Sequence, residues 1–205
     1  MDKNQEYIRN LNIEDVPWHR LTTAYGRATN LPEAFKILND MQDIDAVKSA
    51  VWDIMSIEHQ STLFYATPFA TIFLTRIFNK AVENYDKSDI AKYIVSKFLI
   101  CFENIAFACR YAEDYKREDD KPLANFSDML DEKYLHPVLS DEDDYDEEDY
   151  DDYDDYDEDD YDYPDELFYS CYFYSHKALL EIKGIITKLN DESLSDGIKQ
   201  ILDLL

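Results

Sequence analysis

His59, Gln60, Ser61 and Thr62 stand in a row with Tyr65 close behind, and they are the nearest approach in this chain to a reactive cluster. Nucleophilic catalysis there would need Ser61 or Thr62 beside a base and a pair of oxyanion donors. No GxSxG elbow and no glycine-rich stretch surrounds them. The simpler reading is that these side chains fill an inter-helix connection and satisfy free N–H and carbonyl groups at helix ends. A contact to a partner through His59 and Gln60 lies between the two. The four histidines, His19, His59, His136 and His176, show no HExxH, no His-x-His and no His/Cys pairing at ligand spacing, so no metal site is expected. Neither GxGxxG nor a GxxxxGK loop occurs, and no cofactor is expected. Cys101, Cys109 and Cys171 fall inside apolar helical patterns without a CxxC spacing. An odd number so placed suits a reducing compartment, here the cytoplasm, and the role of small core hydrophobes.

The other chemically distinctive stretch is acidic. Residues 141–166 hold 19 Asp or Glu, 6 Tyr and no Lys or Arg, against a net charge of −26 for the whole chain. The remainder is only mildly acidic. Three roles are open for this run. Like charges repel and little apolar surface is available, which suits a solvated insertion. Alternatively, Asp144, Tyr145, Tyr150, Tyr153, Tyr156, Tyr161 and Tyr163 mix carboxylates with aromatic rings, a combination that docks on a basic surface. Carboxylates pair with Arg and Lys while tyrosines stack on guanidinium groups, and the run can reach at most about 90 Å when fully extended. Weak, multivalent calcium association is the third role, although the EF-hand spacing with its glycine and closing Glu is absent. Direct nucleic-acid binding is not expected. Phosphate contacts need clustered Lys and Arg, whereas Arg76, Lys80, Lys87, Lys92, Lys97, Arg110, Lys116 and Arg117 are scattered. An acidic protein instead suits the basic cleft of a nuclease, where it imitates phosphate spacing.

Helices must position these groups. Only 3 glycines occur in 205 residues, which argues against a hairpin-rich β fold, and a chain of this length suits one domain spanning 1–205 with one substantial core. Leu31, Phe35, Leu38 and Met41 form a helical stripe over 31–41, with Asn30 and Glu33 as a capping-box-like start and Pro32 in the first turn. Ile44, Val47, Val51, Ile54 and Met55 predict a helix over 44–58. Thr67 and Pro68 open a third helix over 67–84 through Phe69, Ala70, Phe73, Ile77 and Ala81. A long fourth helix over 88–116, starting at Ser88 or Asp89, carries Ile90, Ile94, Phe98, Cys101, Ile105, Ala108 and Ala112 on one face. Val95, Leu99, Phe102 and Ala106 add a second face, so burial on two sides is expected. A connector over 117–140 contains a short helix near Phe126 to Leu135, ending before Pro137. Pro164 opens a helix to about Leu189, and Leu194, Ile198, Ile201 and Leu205 mark a last one. The spacing predicts antiparallel pairs, 31–41 with 44–58, 67–84 with 88–116, and 165–189 with 194–205. Such pairs make either a short α-solenoid or an irregular helical bundle. The polar, acidic start predicts no signal peptide, and the longest uncharged run, between Glu58 and Arg76, is too short and too polar to span a bilayer.

Two stretches carry a resemblance. Val16-Pro-Trp-His-Arg-Leu-Thr-Thr-Ala-Tyr-Gly-Arg-Ala-Thr-Asn-Leu-Pro32 leads into one helix, and Trp52 through Ile57-Glu-His-Gln-Ser-Thr-Leu-Phe-Tyr-Ala-Thr-Pro68 into another. Over about residues 16–80 these resemble bacterial HEAT-like repeat proteins, with Ser61 standing where those proteins usually carry Gly. The resemblance implies an all-α, HEAT-like α-solenoid. Because several similar helical-repeat proteins act as immunity or partner-binding proteins in toxin systems, it also implies a binding role. As joints, Tyr25-Gly26 can end a short helix with Gly at C′, and Trp18 and Trp52 are large anchors for packing one helix pair on the next.

Three functions follow in order of preference. The first is a non-catalytic, cytoplasmic binder of a basic protein partner, such as a cognate toxin or nuclease; it predicts salt-sensitive association without turnover. The second is a structural scaffold with the acidic run as a spacer, whose binding survives deletion of 141–166. The third is an enzyme of unrecognised class centred on His59.

Overall fold

In the computed structural model, which describes residues 2–138 and 164–205, Asp2 caps the first helix, α1 (Lys3–Asn10). Its carboxylate accepts the Gln5 N–H at 2.8 Å while Gln5 Oε1 accepts the Asp2 N–H, a reciprocal box that holds a short helix against fraying. The other end of α1 is closed from a distance. The Arg76 guanidinium donates to the carbonyls of Ile8, Arg9 and Leu11 at 2.7–3.1 Å and lies over the Phe73 ring. One planar fork therefore satisfies carbonyls that the helix itself leaves open.

Two small hairpins follow, where none was expected. The first pairs β1 (Thr22–Thr23) with β2 (Gly26–Arg27) and leads into α2 (Leu31–Asp40) and α3 (Ile44–Ile54). The second pairs β3 (Glu58–His59) with β4 (Thr62–Leu63) and leads into α4 (Thr67–Glu83) and α5 (Asp89–Asp114). The order hairpin, helix, helix thus occurs twice, with Pro32 and Pro68 in the two first turns. Gly26 does not end a helix. It takes φ 112° in the first hairpin, a backbone conformation open to glycine. The hairpins are docked together, since Ala24 N–H donates to Ser56 O at 2.8 Å and Ala66 N–H to Thr22 O at 3.0 Å.

The helices start nearly where their caps place them. Ser88 accepts the Ala91 N–H at 3.2 Å to open α5. Asn30, by contrast, makes no side-chain cap, and Met41, although still packed against the core, lies past the helix end and closes α2 at φ 54°. The helix expected over 44–58 stops at Ile54 and tightens into a 3-10 turn, Met55–Ile57, before the second hairpin. Central α4 is buried nearly all round and packs on α2, α5 and α6 (Asp165–Leu179). Its three buried threonines are all satisfied: Thr67 donates to Ile57 O on the other side of the second hairpin, and within the helix Thr71 donates to Thr67 O and Thr75 to Ile72 O.

The connector after α5 forms two 3-10 turns, Phe126–Leu130 and Glu132–Tyr134, in place of one short helix. Arg20 straps its far end down by a bidentate pair with Glu132 and a 2.6 Å bond to His136 O. After α6 come the single turn α7 (Lys183–Ile186) and α8 (Ser195–Leu204). The expected pairing of 165–189 with 194–205 is replaced: α8 packs chiefly against α5. A 2.7 Å bond from the Tyr85 hydroxyl to Asp191 fixes the chain ahead of α8 beside the start of α5. The described chain is all-α apart from the two hairpins, and its buried apolar side chains join one core. No helix among the described residues is long and apolar enough to cross a membrane.

Candidate functional site

The second hairpin presents the His59–Thr62 cluster. Gln60 and Ser61 both take left-handed conformations, φ 51° and 65°, as the two central residues of a turn whose twist matches the strands. Glycine would meet that demand most easily, and here two L-residues do so. Glu58 steadies the tip: its carboxylate accepts the Ser61 N–H at 2.8 Å and the Asn104 side-chain amide of α5 at 3.1 Å. Ser61→Gly is therefore expected to raise stability by about 0.5–1 kcal/mol, the left-handed penalty removed less the glycine entropy loss. A urea titration checks the gain. A loss would mean that the serine backbone is not strained.

His59 and Gln60 are exposed, whereas Tyr65 is buried in the core and stands apart from them. The cluster therefore does not cap helix ends as expected. Tyr25 Oη lies 3.4 Å from His59 Nδ1, with the rings edge to face. His59 and Thr62 meet only through the backbone pairing of the hairpin, and among the described residues no side-chain hydrogen bond joins the His59 imidazole to Ser61 or Thr62, so no nucleophile is paired with it. The three cysteines are buried and free, and burial pushes each thiol up to about 12, which leaves no thiolate for chemistry near neutral pH.

Around the tip the surface is concave and aromatic. A cavity of about 450 Å³ is bounded by Tyr25, Trp52, Glu58, His59 and Phe107. Trp52 is not the packing anchor its size suggests, because α3 turns it outward to solvent. A second cavity, about 850 Å³, adjoins the first through Gln60, Ser61 and Phe107 and runs along α5 past Tyr111 and Tyr115 to Phe168 of α6. Tyr25, Trp52, Phe107, Tyr111, Tyr115 and Phe168 are each half-exposed or more, and together they form one continuous strip. Tyr111 and Tyr115 stack with centroids 4.5 Å apart. At the far end Lys116 Nζ sits 4.5 Å from the Tyr169 ring centre. Burial, helped by donation to Glu113, raises the Tyr169 phenol above its ordinary pKa and keeps it a donor.

Of the residues singled out from sequence, the site holds His59 and Gln60. Asp144, Tyr145, Tyr150, Tyr153, Tyr156 and Tyr161 lie outside the described residues; Asp165, just after them, lines the larger cavity. Phe107, Tyr111, Tyr115 and Glu58 were missed. The available signal was a third stripe on the long helix, Phe107–Tyr111–Tyr115, belonging to neither of its two apolar faces. Among the described residues no group of His, Cys, Asp or Glu is placed to hold a metal. No family model, curated protein or solved structure matches the chain.

Proposed function

We propose that this chain is a non-catalytic protein-binding module that takes a basic protein partner along the aromatic groove. The observation that carries the reading is the strip of six exposed aromatic side chains. A contiguous apolar patch on an isolated surface marks a contact to be made. The charge of −26 selects a cationic partner by steering and by repelling acidic ones. The finer form of the reading is a HEAT-like solenoid acting in the cytoplasm as the immunity partner of a basic toxin or nuclease. The motif residues of 16–80 and the twice-occurring hairpin–helix–helix order support it.

The test is capture from native lysate at low and high salt by three baits: the parent chain, a version lacking 141–163, and the double variant Y111A/Y115A. The deletion spares Asp165 and Glu166, which belong to α6. A basic protein should be retained by the parent at low salt, and retention should fall at least about tenfold in high salt and in the double variant. Retention by Y111A/Y115A equal to the parent would remove the groove from the contact, and indifference to salt would remove the charge. Loss on deleting 141–163 assigns the acidic run to binding, and retention makes it a spacer. For the immunity form, co-expression should protect cells from a toxin encoded beside this chain.

A further inference from the structure

The smaller cavity combines three exposed aromatic walls with one carboxylate. Trp52 stands 77% exposed on α3, Tyr25 72% exposed at the first hairpin, and Phe107 50% exposed on α5. Three rings from three separate elements thus surround one space. Glu58 lines the same space, and among the described residues no lysine or arginine does. Each Glu58 oxygen accepts one bond, from Ser61 N–H or Asn104 Nδ2, which fixes the carboxylate and leaves lone pairs for a further donor. The contact between Tyr25 and His59 holds the first ring in place across the two hairpins.

An anion entering here would meet the Glu58 charge, and a purely apolar group would leave that carboxylate partly desolvated without a partner. A cation meets the negative faces of the rings and the carboxylate together. We infer that this cavity is an aromatic cage for the lysine or arginine side chain of the partner, with Trp52, Tyr25 and Phe107 as walls and Glu58 as counter-ion. The inference rests on the reading of the chain as a binder of a basic protein. It assigns the cation to this cavity and leaves the Tyr111–Tyr115 groove to the rest of the partner.

The test uses a short Gly/Ser peptide with one central arginine and the same peptide with citrulline, which keeps the shape and removes the charge. Binding is read by Trp52 fluorescence, since Trp18 is buried. The arginine peptide should give a saturable change, with citrulline weaker by about tenfold or more. Y25A and E58Q should each weaken the arginine peptide about tenfold, with thermal melts confirming that both variants stay folded. Citrulline binding as well as arginine, or E58Q and Y25A both binding like the parent, overturns the cage. Tetramethylammonium binding as tightly as the peptide would overturn the assignment to a partner's side chain, because the ligand would then be a free organic cation. If the cage fails while Y111A/Y115A still abolishes capture of a basic protein, the binding function stands without it. If the cage holds while the double variant captures normally, the groove is what falls.

Discussion

Trp18→Ala is expected to lower the unfolding free energy by about 3–5 kcal/mol, while Trp52→Ala should leave it within about 0.5 kcal/mol. The two tryptophans occupy opposite environments. Trp18 is 4% exposed and meets Phe35 at 5.4 Å and Phe73 at 5.8 Å between ring centres, both edge to face. Its indole N–H donates to Ile13 O at 2.8 Å. Truncation empties a three-ring cluster that joins α2 to α4 and frees a carbonyl, and the surrounding helices cannot close over the gap. Trp52 is mostly in water, so its removal takes little from the core and acts on binding. Paired urea titrations with equal m-values decide the matter. Comparable losses for both variants would mean that Trp52 is covered in the folded protein, which would also remove a wall of the proposed cage.

Phe126→Ala should cost a further about 3–5 kcal/mol, although it lies in a connector rather than in a regular helix. The ring is fully buried, stacks on Tyr174 at 4.5 Å and 10°, and touches Tyr7 and Phe69. Its N–H donates to Asn4 Oδ1 at 2.8 Å. One side chain thus joins α1, α4 and α6 to the connector. Around it, Leu123 is held by Ser170 and by the Tyr174 hydroxyl. The variant should lose stability as a whole and should also expose residues 117–138 to protease before the helices. Cleavage confined to the connector with unchanged global stability would show that Phe126 anchors only its own turn.

Much of the helical framework was legible because helix signals are local. Pro32 and Pro68 in first turns, Ser88 before α5 and the i, i+3, i+4 apolar spacing act within a turn or two of chain. The hairpins were not legible. Glu58–Leu63 contains no glycine, and its turn depends on Gln60 and Ser61 accepting left-handed φ, with Glu58 bonded to the tip and to Asn104 on α5. Nor was the last pairing, since the apolar stripe of α8 is equally able to cover α6 or α5. The bond from Tyr85 to Asp191 and the turn after α7 bring it to α5.

The candidate site divides in the same way. The amino-acid sequence by itself determined a mainly α-helical chain, where its main helices start, core cysteines without reactive spacing, and a strongly negative charge, because composition and short-range periodicity carry these. Only the tertiary structure decided that Trp18 is buried and Trp52 exposed, and that Phe107, Tyr111 and Tyr115 form an open strip rather than a third core face. It also decided that Tyr25, Glu58 and His59 meet at one cavity. Two residues of the same type differ in burial only through distant neighbours, and a surface groove exists only once helices from separate parts of the chain have packed and left one side uncovered.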